Sequence, residues 1–261
     1  YGIDVNVITN KIYVANYGSA SVSVLDASSS PPAVSTIPGI PGAAGVAANP
    51  LTNRIYVVSA ATGSLHVIDG LTDTVSAVVP IAPPSKAPLL VEVNSILNRI
   101  YVPEWLGGTL HVFNGFDNSH IAAIPLPPMA FGSVLGSVAV HPITQDVFVT
   151  NEKGGVYRLN GLTHALMAMG PVGLPGALPF GTWGVEVNAL KNHVYVAQFH
   201  TNTVHVLDAL SLAPLGFVAT GPIPVPPSPT SGPHFTALNP LDGKLYVTNE
   251  LAGTVSVIVD P

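Results

Sequence analysis

The sequence predicts an all-β fold, a six-bladed β-propeller, from three observations. One pattern of about 45 residues returns six times, each copy alternates apolar with small or polar residues, and turn residues break the runs every eight to twelve positions. Helix signals are missing throughout. Four short antiparallel strands in a repeat of this length make one propeller blade.

The clearest copy runs from Ala48 to Pro80 and centres on Asn53-Arg54-Ile55-Tyr56-Val57-Val58. The others carry NKIYVAN from Asn10, NRIYVPE from Asn98, QDVFVTN from Gln145, NHVYVAQ from Asn192 and GKLYVTN from Gly243. An anchor residue opens each copy: Asn6, Asn49, Asn94, His141, Asn188 and Asn239, at spacings of 43, 45, 47, 47 and 51 residues. The chain therefore reads as one domain of six blades, at about 1–38, 39–82, 83–127, 128–173, 174–221 and 222–261. In blade two, strand A is expected at 46–49, B at 54–59, C at 64–69 and D at 74–81. Blade six is expected to hold three strands, because 254–259 is its strand C and no strand D follows. Its edge at 255–259 is then bare, or covered by a partner chain or a second copy.

The register of strand B on strand C follows from the turn between them. If Asn16 faces Ser21, then Lys11 faces Asp26, Arg54 faces Asp69 and His193 faces Asp208. Opposite charges across a sheet are ordinary stabilisers, and these six residues are read as structural pairs.

Hydrophobic residues make up 48% of the chain, ample for a core, whereas charged residues make up only 8%, so Ser, Thr, Asn, Gly and Pro must cover the surface. The net charge of −6 and the lack of any Lys/Arg cluster argue against a nucleic-acid partner. No cysteine is present, which excludes disulfides and thiolate metal sites and leaves the compartment open. The uncharged stretch 159–185 is too rich in Pro and Gly for a membrane helix, so no membrane span is expected.

The Tyr-Val-x-Asn core of IYVAN and LYVTN, the N-P-L-T-N turn before it and strands such as T-V-S-V-I resemble the YVTN-type propeller repeats. The resemblance covers essentially the whole chain. It implies a secreted, periplasmic or cell-surface protein and a role in binding or surface assembly. The chain is more distantly similar to virginiamycin B lyase-like propellers, which implies the alternative of a metal-assisted lyase or a lactone or ester hydrolase.

Strand A lines the channel of a propeller, and two residues before each anchor stand Asp4, Ala47, Glu92, Ala139, Glu186 and Ala237. Acid alternates with alanine. Asp4, Glu92 and Glu186 would converge on the axis, and three such carboxylates need a cation, a shared proton or ordered water. Oxygen ligands favour Ca²⁺ or Mg²⁺. The alternative is that each acid accepts hydrogen bonds from nearby strand ends in a wet channel.

The second candidate site is the face formed by the B-to-C and D-to-A connections. Tyr17, Trp105, Phe131, Trp183, Phe199, His200, His234, Glu152 and Glu250 stand there and suit a small polar or cationic ligand held by stacking and hydrogen bonds. Under the enzymatic alternative, His234, His200 and Glu104 are the catalytic candidates. The Pro-rich 222–229 reads as a stiff spacer into blade six. His66, His111 and His205 share one strand C position in different blades, and they and His120 read as structural.

Overall fold

The computed structural model describes residues 2–81, 87–129, 132–173, 181–222 and 232–259. Among them, 23 strands form six antiparallel sheets, five of four strands and the last of three: a six-bladed β-propeller. Two compact units divide the chain, 1–126 and 127–261, with three blades in each.

Blade two shows how the repeat folds. Its strands are Ala43–Asn49, Arg54–Ser59, Ser64–Asp69 and Thr74–Pro80. Strand A starts three residues earlier than its alternation suggests, because the pairing shifts between Ala43 and Val46. The same irregularity recurs in strand A of blades four, five and six. A bulge hides a strand from a period-two reading, since it breaks the alternation where the strand begins.

The anchor asparagines act as turn caps. Asn49 Oδ1 accepts from the backbone N–H of Leu51 (3.0 Å) and Thr52 (3.3 Å), while its Nδ2 donates to Asn98 Oδ1 of blade three at 2.9 Å. Asn6 repeats this in blade one, with Nδ2 donating to Asn53 Oδ1 at 2.8 Å. In blade four, His141 Nδ1 accepts the corresponding N–H groups of Ile143 and Thr144. A left-handed residue leads into each strand B, at Asn10, Asn53, Asn98, Gln145, Asn192 and Gly243, directly before the strand except in blade four, where Asp146 intervenes. Asparagine and glycine tolerate that conformation best, so the repeated Asn-x-x-x-Asn is a turn and a latch to the next blade.

Adjacent blades pack through the aromatic of strand B. Tyr13 lies in one apolar cluster with Ile55, Val57 and Ile68 of blade two, and Tyr56 in another with Ile100, Val102 and Phe113 of blade three. In the second unit Phe148 lies with Val194, Val196 and Leu207 of blade five, and Tyr195 with Leu245, Val247 and Ile258 of blade six. Strand A backbones also meet directly. A Cβ on Gly45 would stand 2.7 Å from Leu90 Cα of the next blade, so only glycine allows that approach.

The predicted register is observed, with Lys11 opposite Asp26, Arg54 opposite Asp69 and His193 opposite Asp208. The expected ion pairs of Lys11 and Arg54 need correction. Lys11 Nζ reaches to blade two, pairing with Asp73 at 2.7 Å and donating to Gly70 O at 3.0 Å. Arg54 Nη1 donates to the carbonyls of Gly115 (2.6 Å) and Phe116 (3.0 Å) in blade three. Asp26 and Asp69 serve their own turns instead, accepting from Ser28 N and Leu71 N. A long cation at the edge of a blade does better against unsatisfied carbonyls of the neighbouring turn than against a carboxylate already filled by local N–H groups.

Blade six differs from the others on one face. The strand B aromatic is buried in blades one to five, but Tyr246 is 38% exposed, and Val255, Val257 and Val259 are 58, 53 and 67% exposed. Among the described residues its last strand, Thr254–Val259, pairs only with Lys244–Asn249.

Candidate functional site

Five of the predicted site residues come together in the second unit, where blades five and six meet. Strand A of blade five (Thr182–Asn188) and of blade six (Pro233–Leu238) each carry the bulge near their start, which places Trp183 and His234 in irregular backbone. Gly184 brings the two strands together, since a Cβ there would lie 2.6 Å from the carbonyl oxygen of His234. The Trp183 and His234 rings consequently meet edge to face, with centroids 4.5 Å apart at 88°.

Phe199 and His200 arrive on a short 3-10 turn, Phe199–Thr201, that follows strand B of blade five and ends at Asn202 in a left-handed conformation. Gly232 makes room for this turn, because a Cβ there would stand 2.7 Å from the Phe199 ring. The Phe199 centroid lies 6.1 Å from that of His234 and 5.3 Å from that of His200, while Phe235 leans on His234 at 4.4 Å. Three aromatic rings therefore surround one imidazole.

His234 Nδ1 faces Glu250 Oε2 at 3.1 Å, and its Nε2 is buried without a hydrogen-bond partner among the described residues. Burial lowers the pKa of His234, with Glu250 opposing the shift. The imidazole is thus neutral near pH 7. With its Nδ1 proton donated to Glu250, Nε2 keeps a lone pair. That lone pair is a buried acceptor which the cluster leaves unused among the described residues. His200 is exposed at the margin, and burial of its ring lowers its pKa also.

Glu152 is half-buried in the second unit, and its carbonyl accepts from Gly181 N at 2.8 Å. In the first unit Tyr17 is exposed, Trp105 half-buried and Glu104 buried against His111 of its own blade. Phe131 lies outside the described residues, as does 223–229 of the Pro-rich segment.

The strand A carboxylates belong to both units. In the first, Asp4 Oδ1 accepts from Val5 N and Oδ2 from Ala48 N of blade two, both at 2.7 Å. Burial raises its pKa, against the lowering effect of those two N–H groups. Glu92 is half-buried there. In the second unit, Glu186 Oε1 accepts from Val187 N at 3.2 Å. Among the described residues no set of three or more His, Cys, Asp or Glu converges as a metal cage. What the repeat pattern missed is a polar trio in blade three, Glu104, His111 and His120. His111 was read by its repeat position alone, and the strand D pairing that brings His120 to it is shifted by a bulge.

No protein-family profile and no curated protein matches the sequence. Solved structures do. A chain of Kuenenia stuttgartiensis hydrazine synthase is similar with a TM-score of 0.60 at 16% identity, over 100% of this chain and 96% of that one. A chain in the crystal structure of the mitotic checkpoint complex is similar with a TM-score of 0.78 at 13% identity, over 98% of this chain and 74% of that one. At such identities the likeness shows the propeller fold and nothing of its chemistry.

Proposed function

We propose that the protein is an extracytoplasmic, YVTN-type binding propeller that holds a small planar or cationic ligand at the His234 site of its second unit. The observation that carries this reading is the buried Nε2 of His234, without a partner among the described residues, inside three aromatic rings with the Glu250 carboxylate beside it. Ligand sites combine an apolar, aromatic lining with a few polar groups that fix orientation, and this cluster has both. Cation binding belongs to the same reading. The acid–alanine alternation of strand A supports Asp4, Glu92 and Glu186 as carboxylates for Ca²⁺ or Mg²⁺. The uncharged, exposed edge 255–259 supports assembly with a protein chain or a second copy, and one structural neighbour is itself a chain of a complex.

The enzymatic alternative, a lyase or a lactone or ester hydrolase with His234 as general base, is favoured by one feature: a neutral imidazole oriented by a carboxylate. Trp183 fluorescence in a Trp105→Phe background, titrated with benzamidinium and tetramethylammonium, tests binding. Saturable quenching that is lost in His234→Ala supports the site. Absence of quenching, or quenching unchanged in His234→Ala, refutes it. Turnover of lactone or ester substrates, abolished in the same variant, would move the reading to the enzyme.

A further inference from the structure

Blade three carries a polar cluster that the ligand site does not use. His111, on strand C (Thr109–Asn114), is buried, and its Nδ1 lies 3.1 Å from Nε2 of His120, the exposed first residue of strand D (His120–Pro125). On its far side, His111 Nε2 lies 3.3 Å from Glu104 Oε1 but makes no well-directed hydrogen bond. The Glu104 carboxylate folds in over Gly107, where a Cβ would stand 2.0 Å from Oε2. The Phe113 ring edge, 5.0 Å away by centroids at 63°, holds the His120 ring.

We infer that His111 Nδ1 and His120 Nε2 form a two-imidazole site for a divalent transition-metal ion, Zn²⁺ above all, with Glu104 as the carboxylate behind His111 and solvent completing the coordination. Three features carry the inference. Zinc–nitrogen bonds of about 2.0–2.1 Å in a tetrahedron set two ligating nitrogens about 3.3 Å apart, close to the 3.1 Å observed. A metal-bound histidine commonly has a carboxylate beside its other ring nitrogen, and Glu104 Oε1 lies 3.3 Å from His111 Nε2, placing negative charge behind that ligand. The ligands are nitrogen only, which selects zinc, copper or nickel over calcium or magnesium.

The equivalent histidines show that this arrangement is particular to blade three. His66 Nε2 meets Ser64 Oγ at 3.1 Å, and His205 Nε2 meets Gln198 Oε1 at 3.0 Å and Thr203 Oγ1 at 3.2 Å. Those imidazoles are engaged by neutral partners of their own blades.

Calorimetric titration of the chelator-stripped protein with ZnCl₂ at pH 7.5 tests the site. One equivalent of saturable Zn²⁺ binding is expected, with His120→Ala weakening it at least tenfold, Glu104→Gln about tenfold and His66→Ala leaving it unchanged. Because His120 is exposed, its variant should keep the wild-type far-UV circular dichroism, which makes a loss of binding interpretable. A Co²⁺-loaded sample should show the visible bands of tetrahedral coordination, reduced in His120→Ala. No saturable binding to the wild type, affinity unchanged in His120→Ala, or equal binding of Ca²⁺ would each overturn the assignment.

Discussion

The same residue at the same repeat position has two environments in the second unit, and that difference measures what blade six leaves uncovered. Tyr195 in blade five is 1% exposed, with its hydroxyl 3.4 Å from Asn188 Nδ2, whereas Tyr246 in blade six is 38% exposed. Truncating a tyrosine to alanine removes on the order of 150 Å² of side-chain surface, worth ~4 kcal/mol at ~25 cal/mol per Å² when all of it is buried. Tyr195→Ala also leaves a closed cavity, so its cost is expected at about 4–5 kcal/mol. Tyr246→Ala gives up roughly three-fifths of that burial and leaves an open dent, so about 2 kcal/mol is expected. Urea melts followed by circular dichroism give both values from the shift in midpoint at constant slope. Both residues lie in the same unit, so the comparison is made on one transition. Equal losses would refute the reasoning, because they would mean that Tyr246 is covered in solution as fully as Tyr195. A loss at Tyr246 that grows with protein concentration would identify a second copy as the cover.

Two further outcomes follow from the electrostatics. His205 is buried, and burial pushes its pKa down to about 4 from an ordinary value near 6.5. The unfolded chain therefore binds the extra proton first. Stability is full above about pH 6.5 and falls until about pH 4, by roughly 3 kcal/mol from this group. His205→Gln should remove that share, and a difference between variant and wild type that stays constant from pH 7 to pH 4 would show the imidazole titrating normally. For the carboxylates, Ca²⁺ or Mg²⁺ should raise the melting temperature of chelator-treated protein, and Glu92→Gln or Glu186→Gln should blunt the rise. An unchanged rise in both variants would leave these acids as hydrogen-bond acceptors of their own strands, as Asp4 already is towards Val5 and Ala48.

The repeat made the blades legible because each of its signature residues has a local job. The anchor asparagine caps a turn, the second asparagine takes a left-handed backbone, and the strand B aromatic fills the gap to the next blade. Such terms act over a few residues, so a sequence displays them directly. The bulge that opens strand A is different: it leaves no fixed composition, with Gly45, Ser137, Gly184 and Phe235 standing at equivalent positions. Yet that irregular turn is where Trp183 and His234 are placed. The Lys11 and Arg54 partners were hidden for a related reason, since they sit on the neighbouring blade at sequence distances that depend on loop length.

The propeller thus separates two kinds of information. Positions that obey the repeat build the blades and are interchangeable between copies, as the shared roles of Tyr13, Tyr56 and Tyr195 show. Positions that break it are free to acquire chemistry. Three strand C histidines illustrate the point: two are hydrogen-bonded by Ser64 or Gln198 within their blades, while the third gains a second imidazole and a carboxylate because blade three alone places His120 and Glu104 beside it among the described residues. Function in a repeat protein is therefore best sought by subtraction. The consensus accounts for the fold, and the residues left over, His234 with its aromatic rings and His111 with His120, are where binding has to be tested.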